Sequence, residues 1–269
     1  MVIKKIIAKY KDQLKYLIKK EMGINGNNCD LNHIDITSIE DLSYLFYETE
    51  FNGNISLWDT SKATNMLGMF QNSVFDGDIS SWDVSRVKNM SELFCDSIFN
   101  GDISQWDVSN VTNMRGMFRG SRFNQDISKW NMAKISDLES MFEQSQFNKN
   151  ISTWDMSGTK YMDYMFFLSQ FNQDISTWDV SNVESMTCMF AHSEFRQDIS
   201  KWNVKNLRDK NGIFEYSELE KEDSLPYWAN LQVDFLECAI NAYKLQQQLQ
   251  KEFVMHSANK DSKTNYIKI

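Results

Sequence analysis

The sequence predicts an α/β solenoid: a stack of eight 24-residue coils, each with a short parallel strand and a short helix, capped by a helix at each end. Three observations predict it. Tryptophans recur every 24 residues from Trp58 to Trp202. Two phenylalanine columns and an isoleucine column keep the same period. An apolar stripe at helical spacing stands on either side of the repeats.

The tryptophans are Trp58, Trp82, Trp106, Trp130, Trp154, Trp178 and Trp202; one step back falls on Ile34, which leads a degenerate first copy. No copy carries an insertion. An invariant column runs Phe46, Phe70, Phe94, Phe118, Phe142, Phe166, Phe190 and Phe214, each preceded by an apolar residue from Leu45 and Met69 through Ile213. A second runs Phe51, Phe75, Phe99, Phe123, Phe147, Phe171 and Phe195, and isoleucines run from Ile55 through Ile199. A period of this length and regularity is the signature of units that bury a core by stacking on their neighbours.

Two local patterns sit inside each unit. Val87, Met90, Leu93 and Phe94 step by three, three and one, which predicts a short helix. Ser85, Ser109, Ser157 and Ser181 precede that run and suit N-caps. The second pattern is Asp102-Ile103-Ser104 and its equivalents: a β-branched residue between polar ones predicts a short strand with one buried face. Methionines such as Met90, Met114, Met117, Met141 and Met165 share the helical face with the invariant Phe, so they read as packing against aromatic rings. The competing reading is a copper-binding methionine surface.

These patterns divide the chain into an N-terminal capping helix and lead-in (1–33), an eight-repeat solenoid (34–225), and a C-terminal capping helix with a polar tail (226–269). The first helix is expected over residues 3–22, with Ile6, Ile7, Tyr10, Leu14, Leu17 and Ile18 on one stripe and Gly23 at its end. Its lysine face reads either as solvated or as a contact to anionic membrane. The last helix is expected near 226–252, with Trp228, Leu231, Phe235, Ala239, Ala242, Leu245 and Leu249 at helical spacing and Pro226 in its first turn. Its alternative role is dimerisation or docking.

Composition excludes several classes. The net charge is −9, although residues 1–22 carry +5; a nucleic-acid binder held by phosphate contacts is not expected. No run approaches a membrane span, so no integral membrane segment is expected. The N-terminus lacks the features of a secretory signal, which predicts a cytoplasmic protein; a cell-surface or secreted placement is the alternative. Cys29, Cys95, Cys188 and Cys238 lie far apart with no CxxC pair and are expected as reduced thiols. The sequence leaves the oligomeric state open.

Polar columns flank the isoleucines. Asp78, Asp102, Asp126, Asp174 and Asp198 form one, with Asn54 and Asn150 in the same place; Asp59, Asp83, Asp107, Asp155 and Asp179 form another. Carboxylates stacked at ~4.8 Å repel by about 1 kcal/mol per pair even in water, so something offsets them. Asx turns with the serine two residues on are one answer. Calcium held by Asp78, Asp102, Asp126, Asp174 and Asp198 is the other, a metal reading that the free exchange with Asn disfavours. His33, His192 and His256 form no set, and no nucleotide-binding or hydrolase motif is present. No catalytic residue and no cofactor is expected.

Recognition of a partner then falls to variable slots after the invariant Phe and before the second one. The candidates are Arg119, Arg122, Gln146, Phe167, Leu168, Gln170 and His192, with Phe167-Leu168 the one strongly apolar pair.

The unit FNxDISxWDVSNVTNMxxMF, over residues 30–219, resembles the BspA-like leucine-rich-repeat-like family, a large group of bacterial surface and uncharacterised proteins. The resemblance implies a leucine-rich-repeat-like, protein-binding solenoid, in that family often proposed as an adhesin, and implies no catalytic residue. The expected function is a non-enzymatic protein–protein interaction scaffold with a protein partner. The alternatives are a cell-surface adhesin for host protein and a calcium-stabilised structural module.

Overall fold

The computed structural model describes residues 5–221 and 224–229. Each 24-residue copy forms one coil laid on the next. Parallel bridges join Asp41, Asn65, Asn89, Asn113, Asp137, Tyr161, Ser185 and Asp209 in an unbroken series, so the register between coils equals the sequence period.

The hydrogen bonds explain that register. In the coil led by Trp82, the N–H groups of Met90, Glu92, Phe94 and Asp96 donate to the carbonyls of Asn113, Arg115, Met117 and Arg119 at 2.7–3.0 Å. Between them, Leu93 and Cys95 donate back within the coil to Met90 and Glu92 at 3.3 and 3.1 Å. Alternate donors therefore run along and across the stack, and the coils led by Trp58 through Trp178 repeat the arrangement.

This corrects both elements expected within the repeat. The Val87–Phe94 stretch is a chain of hydrogen-bonded turns, with no α-helix. Two residues per coil lie in the left-handed region: Glu92 (φ 55°) and Asp96 (φ 53°) here, with equivalents in every other coil. A left-handed residue at every fourth place breaks a right-handed helix. The 3-3-1 apolar spacing arises because each turn returns one side chain to the interior. Ser85 caps no helix; its N–H donates to Asp83 Oδ1 at 2.9 Å. The expected Asp-Ile-Ser strand is likewise a turn. Ser104 N–H donates to Asp102 Oδ1 at 2.9 Å, and Trp106 N–H donates to Ile103 O at 3.2 Å.

The core is one contiguous body of stacked columns. Successive rings of the invariant Phe column lie 5.5–5.8 Å apart and within 9° of parallel. Those of the second column lie 6.1–6.4 Å apart. Each tryptophan reaches back one coil: Trp130 Nε1 donates to Ile103 O at 3.2 Å, the carbonyl that Trp106 N–H also uses. The Trp and Ile columns are thus coupled by hydrogen bonds as well as by contact. Fully burying a side chain of this size contributes about 1.5–3 kcal/mol, and stacked aromatic pairs add ~0.5–1.5 kcal/mol.

At the N-terminal end, β1 (Ile6–Ile7) pairs in parallel with β2 (Ile34–Asp35), extending the stack by one strand. The helix, α1 (Lys11–Asn25), starts later and ends later than residues 3–22. Ile6 and Ile7 lie in β1, where they are 38% and 56% exposed, and Tyr10 precedes α1. Leu14, Leu17 and Ile18 do reach the core. Gly26, at φ 80°, closes α1 through its N–H to Met22 O.

At the other end, α2 (Glu218–Lys221) is a single turn that buries Leu219 where earlier coils have Phe. Tyr227–Ala229 form a turn closed by Ala229 N–H to Pro226 O, and Trp228 packs on Trp202. The helix expected near 226–252 lies outside the described residues from 230 onward. Cys29 and Cys95 are free, whereas Cys188 is disulfide-bonded, which corrects the expectation of four reduced thiols.

Candidate functional site

The left-handed residues define one side of the stack. They fill two columns: Tyr44, Gly68, Glu92, Gly116, Ser140, Tyr164, Cys188 and Gly212, and Glu48, Asn72, Asp96, Gly120, Gln144, Leu168, His192 and Tyr216. Among the described residues, all twelve non-glycine residues at positive φ belong to these columns. The inter-coil ladder holds them there, since Glu92 and Asp96 N–H both donate to the next coil. A side chain in this conformation costs about 1–2 kcal/mol relative to glycine, with Asn and Asp the least strained.

The second column projects outward. Glu48, Asn72, Asp96, Gly120, Leu168 and Tyr216 are exposed, and Gln144 and His192 are half-buried. Towards the C-terminal coils it becomes aromatic. His192 stacks on Tyr216 with ring centres 4.9 Å apart and meets Phe167 edge-on at 5.8 Å; Phe167 in turn meets Tyr164 at 5.7 Å. Beneath lies a small satellite core of Phe167, Cys188 and Ala191. Burial, and then the Lys221 charge, lower the His192 pKa, so its imidazole is neutral at pH 7.

The structure sorts the expected partner-binding residues. Phe167 is 1% exposed and faces the satellite core, so it is no outward contact; Leu168 beside it is 42% exposed. Arg122, Gln146 and Gln170 line the neighbouring exposed column. Arg119 is partly withdrawn: its Nε donates to Cys95 Sγ at 3.3 Å and its guanidinium lies 3.9 Å from Asp96. Gly120 makes room for that carboxylate, since a Cβ there would stand 2.1 Å from Asp96 Oδ1. Glu143 is buried next to this group, and burial pushes its carboxyl above the usual range. Tyr44, Tyr164 and Tyr216 were not among the residues expected from sequence; what marks them is the left-handed backbone, which no sequence pattern displays.

The aspartate columns are built as turns. Asp78, Asp102, Asp126, Asp174 and Asp198 each accept the N–H of the serine two residues on at 2.9 Å. Those backbone hydrogen bonds, then the serine hydroxyls, hold all five carboxyls below the usual range. Asn150 accepts from Ser152 at the same 2.9 Å. Among the described residues, no group of three or more His, Cys, Asp or Glu side chains is placed to hold a metal ion.

A further polar column was not expected from sequence. Asn52, Asp76, Asn100, Asn124, Asn148 and Asn172 each accept the backbone N–H of the equivalent residue one coil on, at 2.8–3.0 Å. Its signal, an Asn after most second-column Phe residues, is visible as a 24-residue recurrence. Elsewhere, a shallow polar cleft of about 340 Å³ lies by Gly158. Its charges satisfy one another, with Glu184 3.3 Å from Lys160 and 3.6 Å from Arg208.

Register, ladder and stacked columns define a tandem-repeat protein. The family described as "Mycoplasma protein of unknown function, DUF285" matches in four overlapping windows, residues 13–122, 75–170, 121–228 and 146–252. The chain belongs to this family. No curated protein and no solved structure matches. Among the described residues, no helix is long and apolar enough to cross a membrane.

Proposed function

We propose that the chain is a non-enzymatic protein-interaction scaffold whose recognition surface is the outward left-handed column and its neighbours. One observation carries this reading. Glu48, Gln144, Leu168, His192 and Tyr216 occupy a conformation that glycine or asparagine would fill at lower cost. Backbone strain held by the surrounding structure clusters at functional positions. The coil needs that backbone angle but not those side chains, so their identity serves contact with something outside. A neutral histidine, an exposed leucine and a tyrosine in adjacent coils fit a protein partner better than a phosphate backbone.

The test compares immobilised full-length chain with its Leu168→Ser/Tyr216→Ser variant in affinity capture. A protein retained by the wild type and lost with the variant supports the reading. Equal capture by both, or none by either, overturns it.

The resemblance of the repeat unit to BspA-like leucine-rich-repeat-like proteins supports a second placement of the same surface, as an adhesin towards host protein. Protease shaving of intact cells separates the two: cleavage before lysis favours the adhesin, and cleavage only after lysis removes it.

A further inference from the structure

The N-terminal cap carries more than capping needs. α1 packs on the first coil through Leu14, Leu17 and Ile18, and Lys11 Nζ ties it there by donating to Asp41 Oδ2 at 2.9 Å and Ser43 Oγ at 2.5 Å. The face of α1 turned away from that core is basic. Lys15, Lys19 and Lys20 stand exposed on it, and Lys9 stands exposed just before the helix. Among the described residues these four form no ion pair, in contrast to Lys11. Of the two acidic residues of α1, Asp12 is exposed, while Glu21 accepts from Asn25 Nδ2 at 2.9 Å and lies 3.7 Å from His33 Nε2.

Large apolar side chains are exposed among these lysines. Tyr16 is 65% exposed, with Lys19 and Lys20 one turn further on. Ile7, Tyr10 and Ile24 are each more than half exposed as well. The cap does not need them, since it packs through the opposite face. Charge is divided along the chain in the same sense: residues 1–22 carry +5 and the rest −14. A second copy meeting this face would set lysine against lysine. A nucleic-acid backbone would satisfy the lysines but offers the isoleucines and tyrosines no apolar medium. An anionic lipid surface takes both, because the headgroups attract the ammonium groups while the apolar side chains enter the headgroup–acyl boundary.

We propose that the N-terminal cap, from Ile7 to Ile24, docks on an anionic lipid surface. Lys9, Lys15, Lys19 and Lys20 meet the headgroups, and Tyr16 with its apolar neighbours enters the boundary. The lipid attracts the cap and repels the negative remainder of the chain. The stack therefore stands end-on, and the left-handed column along its side stays clear of the lipid. This contact uses residues separate from that column and is independent of the protein-partner reading.

Vesicle co-sedimentation of the full chain tests this. Wild type should bind vesicles of phosphatidylcholine with about 30% phosphatidylglycerol, and not phosphatidylcholine alone. Binding should be lost at ~1 M salt, where the screening length falls to about 3 Å. Lys15→Glu/Lys19→Glu should weaken binding at least about tenfold while keeping the wild-type unfolding midpoint in urea, since both side chains are exposed. Tyr16→Ser should weaken it several-fold by removing the inserted ring. Leu168→Ser/Tyr216→Ser should sediment as wild type does. Absence of binding, equal binding to neutral vesicles, or undiminished binding by the charge-reversed variant overturns the inference. So does loss of binding in the Leu168→Ser/Tyr216→Ser variant, which would place the contact on the side of the stack. Duplex DNA retained more tightly than the vesicles also overturns it.

Discussion

Trp228 stacks on Trp202 with ring centres 6.3 Å apart and donates its indole N–H to Ile199 O at 3.3 Å, though 26 residues rather than 24 separate the pair. The column therefore continues past the last full repeat even though the spacing there is two residues longer. What the fold preserves is the bond from tryptophan to the isoleucine carbonyl one coil back.

That bond should be measurable. Trp106→Phe keeps most of the apolar bulk but leaves Ile79 O without its indole donor, now at 3.2 Å. Ile79 O still accepts from Trp82 N–H at 3.1 Å, so the loss is that of one net hydrogen bond, about 0.5–1.5 kcal/mol. The unfolding midpoint in urea should fall accordingly, and Trp106→Ala should cost ~3–5 kcal/mol through the added cavity. An unchanged midpoint for Trp106→Phe would show the bond to be energetically neutral.

Left-handed positions should respond to glycine in reverse of the usual rule. Gln144 lies at φ 54°. Gln144→Gly removes a Cβ penalty of about 1–2 kcal/mol, partly offset by the entropy of a glycine in the unfolded chain. A net gain of roughly 0.5–1 kcal/mol in denaturant melts is expected. Destabilisation would mean that the ladder carries no strain at this site.

At any one aspartate corner the acceptor matters more than the charge, whose small contributions add up only over the whole column. Asp102→Asn should stay within about 0.5 kcal/mol of wild type at pH 7, because Asn150 already makes the same bond at 2.9 Å. Asp102→Ala removes the acceptor for Ser104 N–H and should cost ~1 kcal/mol. Thermal melts of the pair decide it; equal losses would show that the carboxylate matters for its charge.

Acid should unfold the protein through these same corners. Serine N–H groups and hydroxyls hold Asp59, Asp78, Asp102, Asp107, Asp126, Asp155 and others below their usual pKa. A depressed pKa contributes stability that is present above the unfolded value, about 4, and lost as pH falls through the folded value. The melting temperature should hold from pH 7 to 5 and drop steeply below about pH 4. A flat profile to pH 2 would contradict this origin.

Glu143 has the opposite sign. Burial raises its pKa, so its contribution worsens as pH rises from the unfolded value through the folded one. Glu143→Gln should be more stable than wild type at pH 7, and the two should converge near pH 4. A variant less stable at pH 7 would show that attraction to Arg119 outweighs burial.

Sequence alone determined the period, the copies and the columns, because a 24-residue recurrence of Trp, Phe and Ile without insertions can bury its aromatics only by stacking. It also marked the aspartate corners, since Asp followed two places on by Ser is a local turn that needs no distant partner. Inside the coil it misled. Val87, Met90, Leu93 and Phe94 have helical spacing, but the ladder takes their backbone donors across the stack and sets Glu92 and Asp96 left-handed. No residue type announces that angle, for glutamate, leucine, histidine and tyrosine all hold it here. It is a product of tertiary structure, because the strain is offset by hydrogen bonds to residues 23 positions away. The same holds for the candidate face: Phe167 and Leu168 are neighbours of similar apolarity, and the coil turns one into the satellite core and the other towards solvent.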